Sequence, residues 1–445
     1  MAVVPKTPTA IPAALASVPP MDSSIVRRPP FGTNPVVGAR GTDTRRRVLA
    51  AALEVFGEMA YAEARVELIT ERAGCSRPAF YQYFSSKDDV FWALASELGH
   101  EMVALAEQLD DVTPDRAGLD RLVLWIDDFM ALHQAWAPVF DSYPAASRGF
   151  TEQVRGSSAI SGRTGRALLR ATGASDAAAD LRIVTNLVAV LIRCSFFAEH
   201  APSGMSRRPM VVGLAHVFHR VLLGPVDGVN VVRGRPSRRR RIKITAPAEP
   251  SMPPELPARG EHTRQRLLDA GATVLPQRGY HDARVDDIVT EAGVSHGTFY
   301  RYFENKDDFF RVLAEGASTR MIELVDRLDL NASPEDLRAW ITDWFDAYEA
   351  DGGIISTWQE MRASAELAAF SQQVGAAAFT RLERLLDQRD FGEPQVDAAT
   401  FLALIERGPY SVYTLRFSSR DDAIEAMAVV IERGYLGLDD EPPVG

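Results

Sequence analysis

Arg77, Tyr81, Gln82, Tyr83 and Lys87 fall close together, and His296, Tyr300, Arg301, Tyr302 and Lys306 repeat the arrangement 219 residues later. Guanidinium, amide, imidazole, phenol and ammonium groups at this density suit hydrogen bonding to phosphate oxygens and to the edges of bases. None of them sits beside a partner that would make it a nucleophile or a general base. Elsewhere, the close helical pair His216 and His219 has no Cys or carboxylate nearby to complete a metal site. No Gly-rich phosphate loop, nucleophile elbow or HExxH occurs. The chemistry on offer is recognition rather than bond-making, so no enzyme is expected and no cofactor or metal is implied.

The elements that must hold these groups are legible around them. The segment at 74–89 reads GCSRPAFYQYFSSKDD and the one at 293–308 reads GVSHGTFYRYFENKDD, with Thr44 matching Thr263 and Tyr61 matching Tyr280 at the same interval. This is a duplicated module. Each copy predicts a helix starting at about Asp43 or Thr44, followed by a short helix over 66–73 stopped at Gly74. Ser76 then caps a helix over 77–84, and a long helix starts at Lys87, capped by Ser85 or Ser86 in copy one and Asn305 in copy two. Phe80, Phe84, Phe299 and Phe303, at i, i+4 spacing, belong to the core. The anatomy is a helix-turn-helix, which makes double-stranded DNA the first partner to consider.

Beyond each such unit the pattern stays helical, and the chain reads as all-α. Thr113-Pro114-Asp115 and Ser333-Pro334-Glu335 are helix starts. They open amphipathic helices bearing Leu122, Trp125, Ile126 and Phe129, and Leu337, Trp340, Ile341 and Trp344. Apolar helices over 181–198 and 210–223 close the first module, and helices over 396–417 and 421–435 close the second. Residues 1–42, rich in Pro, Ala and Ser, read as a disordered tail. The first module covers 43–225, with its helix-turn-helix at 44–91. A basic, Pro-rich linker follows at 226–259, and the second module covers 260–440, with its helix-turn-helix at 263–310. Arg238 to Arg241 in the linker read first as a solvated charge run and alternatively as a contact to DNA phosphates. Two cysteines far apart fit a reducing cytoplasm, and no uninterrupted apolar run reaches the length of a membrane span. A net charge of −11 weighs mildly against a nucleic-acid partner, so the motif rather than the total charge has to carry that expectation.

The run Gly-Val-Ser-x-Gly-Thr-Phe-Tyr-x-Tyr-Phe-x-x-Lys at 293–306 strongly resembles the signature of the TetR/AcrR family of bacterial repressors. The resemblance is specific over each helix-turn-helix and architectural beyond it. It implies tandem modules, each with a DNA-binding three-helix head and a helical domain for effector binding and dimerisation. It also implies that Arg77, Pro78, Ala79, Tyr81 and Gln82, with His296, Gly297, Thr298, Tyr300 and Arg301, approach bases or nearby phosphates. Tyr83, Tyr302, Lys87 and Lys306 would touch phosphate. Arg65 and Arg284 stand where many relatives have a capping Thr or Ser; each opposes its helix dipole, tolerably if a phosphate lies near. Pro78 and Ala79 depart from the common Gly-Thr, which puts tight binding by the first unit in doubt.

By the same resemblance, the closing helices of the two modules should pack together as an intramolecular pseudo-dimer, with further pairing of chains left open. The operator should be an imperfect inverted repeat. The aromatics Trp125, Phe129, Trp136 and Phe140, and Trp340, Trp344, Tyr348 and Trp358, are core residues first and candidates for an effector pocket second. Since no basic cluster or paired carboxylates accompany them, a lipophilic, weakly charged effector that releases DNA is expected. The competing readings are a protein-interaction scaffold, or a redox-responsive regulator with one degenerate helix-turn-helix and Cys75 as its thiol.

Overall fold

The computed structural model describes residues 39–147, 150–173, 178–200, 206–226, 258–357, 365–389, 392–413 and 418–437. Among these residues the structure is helical and contains no strand. In chain order the helices are α1 (Ala39–Glu58), α2 (Val66–Arg72), α3 (Arg77–Tyr81), α4 (Lys87–Glu107), α5 (Arg116–Ala135), α6 (Ala137–Ala146), α7 (Thr151–Ala171), α8 (Ala178–His200) and α9 (Arg207–Leu223). The second half supplies α10 (Ala258–Asp282), α11 (Val285–Ala292), α12 (His296–Phe299), α13 (Lys306–Asp326), α14 (Pro334–Thr357), α15 (Ala365–Leu386), α16 (Pro394–Tyr413) and α17 (Arg420–Ile431), then a π-helical turn at Glu432–Leu436. Most of the linker expected at 226–259, including Arg238 to Arg241, and Trp358 lie outside the described residues.

The chain divides into two compact units, residues 1–108 with 128–164, and residues 109–127 with 165–445. In the first, α1 packs on α2, α4 and α6. Its core is aromatic: Phe91 stands edge-on to Phe56 and Tyr61 at centroid separations of 6.1 and 5.4 Å. The first helix starts earlier than Asp43, because Asp43 pairs with Arg46 and Arg47 one turn along (2.9 and 3.2 Å) and so lies inside the helix instead of capping it.

In the second unit α10–α13 rebuild the same head around Leu267, Ile288, Phe299, Phe303, Phe309 and Phe310. The helix starts at the two proline motifs differ. Ser333 accepts from the Asp336 N–H at 3.1 Å, as a cap should. In the first copy Asp115 takes over, accepting the Gly118 N–H at 3.0 Å, while Thr113 donates its hydroxyl to the same carboxylate at 2.6 Å. A carboxylate one residue before the helix is the stronger acceptor near a positive helix end, and this shifts the start by two residues.

Also in the second unit, α8 and α9 of the first module pack on α16, α17 and the π turn of the second. Polar groups stitch this seam at its margins. Arg193 pairs with Glu406 at 2.6 Å, Arg182 with Asp422 at 3.2 Å, and Arg220 Nε donates to the Gly434 carbonyl at 2.9 Å. Buried within it, Asp397 is held by Arg389 at 2.6 Å and faces Arg220 at 3.8 Å. Burial pushes that carboxyl up, and the two guanidiniums oppose the rise. The stretch Asp180–Ala198 in α8 is long and apolar enough by composition to cross a membrane. Arg182 and Arg193 punctuate it, so it holds no uninterrupted apolar run. Its packing on α16 and α17 supplies a different reason for so much apolar surface.

Candidate nucleic-acid interface

Each head builds its recognition segment from purely local chemistry. Gly74 and Gly293, at φ of +60° and +62°, close the turn after α2 and α11 in the left-handed region that suits glycine. Ser76 then accepts the Ala79 N–H at 3.3 Å and Ser295 the Thr298 N–H at 3.2 Å, fixing where α3 and α12 begin. Phe80 and Phe299 are fully buried, and Phe84 and Phe303 nearly so. That anchorage turns the other face of each short helix to solvent: Tyr81 is 48% and Tyr300 51% exposed, an unusual condition for a large ring unless something else covers it.

Arg77, Pro78, Gln82, His296, Gly297 and Arg301 share that exposed face, while Ala79, Thr298, Tyr83 and Tyr302 are half-buried. A side chain at Gly297 would meet only open space, so the backbone itself is free to approach a phosphate there. The Thr298 hydroxyl is already engaged with Ser295 Oγ at 2.8 Å. Arg65 and Arg284 are exposed at the starts of α2 and α11 and cap nothing with their side chains. A guanidinium has no acceptor to offer the helix; instead the Arg284 N–H donates to Asp287 at 2.9 Å, a compensation that Leu68 cannot provide in the first copy.

Lys87 and Lys306, expected at phosphate, make their recorded contacts within the heads. The Lys87 ammonium donates to the carbonyls of Tyr61 at 2.6 Å and Ala64 at 3.0 Å and lies over the Tyr61 ring. Lys306 does the same with Tyr280 at 2.7 Å and Ala283 at 3.2 Å. In each head a long flexible cation folds inward onto these carbonyls, and burial pushes the Lys306 ammonium down. Both lysines therefore brace the loop before α2 and α11 rather than reach outward.

Three further contacts, each made at corresponding positions in both copies, complete the head. Arg47 donates to the Ala73 carbonyl at 2.8 Å, and Arg266 bonds the Ala292 carbonyl, each locking the turn. Tyr61 donates to Asp88 at 2.5 Å, and Tyr280 bonds Asp307. Arg77 pairs with Glu67 at 2.5 Å and His296 with Asp286 at 3.2 Å, so an acid on the preceding helix faces the first residue of the recognition helix in both copies. Cys75 is half-buried in the turn, and burial pushes its thiol up, the opposite of what a reactive thiolate needs.

The family description "Bacterial regulatory proteins, tetR family" matches residues 48–94 and again residues 267–313, the two heads just described. The chain thus carries the TetR-family N-terminal domain twice, in tandem. Similar curated proteins include the uncharacterized HTH-type transcriptional regulator YdgC of Bacillus subtilis, 38% identical over 71 residues, covering 16% of this chain and 36% of that protein. The transcriptional regulator AcuR of Cereibacter sphaeroides is 37% identical over 93 residues, covering 20% of this chain and 42% of its own. The chain thus spans well under half the length of these relatives. Among solved structures, the fatty acid degradation regulator FadR of Bacillus halodurans is 19% identical with a TM-score of 0.33, covering 40% of this chain and 96% of that one.

The residues expected to line an effector site are placed mainly as core. Trp125, Phe129, Trp136, Trp340, Trp344 and Tyr348 are buried, and Phe140 is half-buried with its ring stacked on His133 at 4.4 Å. Their polar edges are satisfied internally: Trp136 donates to Glu101 at 2.9 Å, and Trp340 and Trp344 donate to the carbonyls of Leu324 and Ile405, each at 2.8 Å. Tyr348 stacks on Tyr413 with centroids 5.9 Å apart. A cleft of about 180 Å³ opens beside Trp340, Arg327 and Asp336, below the roughly 300–1,000 Å³ usual for ligand sites. His219 offers no metal ligand, since its ring nitrogens face the carbonyls of Gly224 at 2.8 Å and Thr113 at 3.2 Å.

Proposed function

We propose that this protein is a sequence-specific DNA-binding transcriptional regulator that acts as a repressor and leaves its operator when a small apolar effector binds its helical domains. The observation that carries the reading is the pair of exposed tyrosine faces, Tyr81 with Arg77 and Gln82, and Tyr300 with His296 and Arg301, each anchored by two buried phenylalanines. Helices presented in this way enter the major groove by their first residues, where base edges are distinguishable. The Arg77–Glu67 ion pair is solvent-exposed and worth at most about 1 kcal/mol, and the His296–Asp286 contact is exposed as well, so phosphate or base contacts can replace both. The seam between α8–α9 and α16–α17 makes the two modules an intramolecular counterpart of a dimer. Because the groove-facing residues of the modules differ, the operator is an imperfect inverted repeat. The cytoplasm is the compartment this activity requires.

A mobility-shift titration of the full chain on selected DNA at two salt concentrations tests the reading. Specific binding with a steep salt slope is expected, since each neutralised phosphate contributes about −0.9 to the slope of log affinity against log salt. Salt-independent or absent DNA binding would leave a protein-interaction scaffold as the better account.

A further inference from the structure

Arg407 lies on α16, directly after Glu406. Its Nε is shut off from solvent and has no hydrogen-bond partner, and the residue as a whole remains half-buried, so part of it is still reachable. Among the described residues no carboxylate lies within ion-pair distance of it. Its recorded neighbour is the Tyr410 ring, 4.9 Å from the guanidinium carbon. The nearby carboxylate of Glu406 is taken by Arg193, at 2.6 Å. The Arg407 guanidinium is thus left without that carboxylate at the edge of the second module's aromatic core. Burial, then the positive field of Arg193, pushes the Arg407 guanidinium down, while Tyr410, Glu406 and Tyr348 oppose the shift.

A guanidinium partly withdrawn from water without a counter-charge is costly, because the side turned inward is neither solvated nor paired. Arginine cannot escape that cost by giving up its proton at ordinary pH. Elsewhere near the seam, Arg389 pairs with Asp397, Arg220 faces the same carboxylate and Arg182 pairs with Asp422. We propose that Arg407 binds the anionic head, a carboxylate or phosphate, of an amphipathic small molecule whose apolar body lies against the aromatic residues of α14 and α16. This rests on the effector reading above and refines its chemistry: the largely apolar effector carries one anionic group. A planar fork of donors beside aromatic faces is well matched to an acid carried on a flat or extended apolar body.

The test uses the full chain and a matched pair of probes, 1-naphthylacetate and its neutral amide, titrated by calorimetry against wild type, Arg407→Met and Arg407→Lys. Wild type should prefer the acid by about tenfold or more, the value expected of a charge-assisted hydrogen bond. Arg407→Met should abolish that preference while melting at a temperature no lower than wild type, since it removes an unpaired charge. Arg407→Lys should keep part of the preference. Equal affinity for acid and amide would overturn the anion site and leave an uncharged effector standing. Acid preference that survives in Arg407→Met places the acid elsewhere and overturns it too. Absence of binding by either probe also overturns the site, while release of operator DNA by uncharged ligands decides the effector reading separately.

Discussion

The seam between the two modules can be probed at a single atom. Gly213 of α9 faces Val396 of α16, and a methyl group added at Gly213 would come within 2.1 Å of Val396 Cγ1 and 2.9 Å of its Cβ. Real side-chain contacts begin near 3.5 Å. Valine is stiff at χ1 and both its methyl groups point into this contact, so rotation gives little relief and the helices must separate. Gly213→Ala should therefore destabilise the protein by about 2–3 kcal/mol, the upper part of the range for overpacking, despite the better helix propensity of alanine. Val396→Ala alone leaves a small void and should cost about 1–2 kcal/mol. The double variant removes the methyl at 2.1 Å and should recover at least about 1 kcal/mol relative to the sum of the single changes. Urea unfolding followed by helical circular dichroism provides all three values. Additive effects, or a loss below about 0.5 kcal/mol for Gly213→Ala, would refute the close packing of α9 on α16.

Other outcomes follow from the heads and from α9. Arg77→Ala should cost about 1–3 kcal/mol at one half-site and leave the other unchanged, as read by binding to operators with one half-site scrambled. Equal losses at both half-sites would contradict the assignment of different groove-facing residues to the two copies. Lys306→Met should lower the melting temperature of the protein, because the carbonyls of Tyr280 and Ala283 lose their donor, while the salt slope of DNA binding stays constant. A slope smaller by about one would return that lysine to a phosphate. Burial, then Arg220, His219 and Arg116, pushes the His216 imidazole down to about 4 from its ordinary 6.5. Between these values the unfolded chain binds more protons than the folded one, so stability is complete above about 6.5 and is lost as pH falls toward 4. His216→Asn should flatten that part of the urea-midpoint profile against pH; an unchanged profile would assign the acid sensitivity elsewhere.

The heads were legible because everything that shapes them is near in sequence. Ser76 and Ser295 cap, Gly74 and Gly293 close the turn, and the phenylalanines one helical turn apart decide which face is buried; the duplication shows each signal twice. The proline motifs likewise announced helices, although a carboxylate two residues on displaced one start. What tertiary structure alone decided is where charges point and what they meet. Lys87 and Lys306 looked like phosphate contacts until the loop carbonyls some two dozen residues upstream were seen to hold them. Arg220 and Arg193 found Asp397 and Glu406 in the other module, far along the chain. Arg407, in contrast, lies against the Tyr410 ring and, among the described residues, pairs with no carboxylate. A cap or a turn is a bargain between neighbours, written in residue type and spacing. The fate of a long charged side chain depends on desolvation and on partners brought by packing, and those terms exist only once distant helices have met.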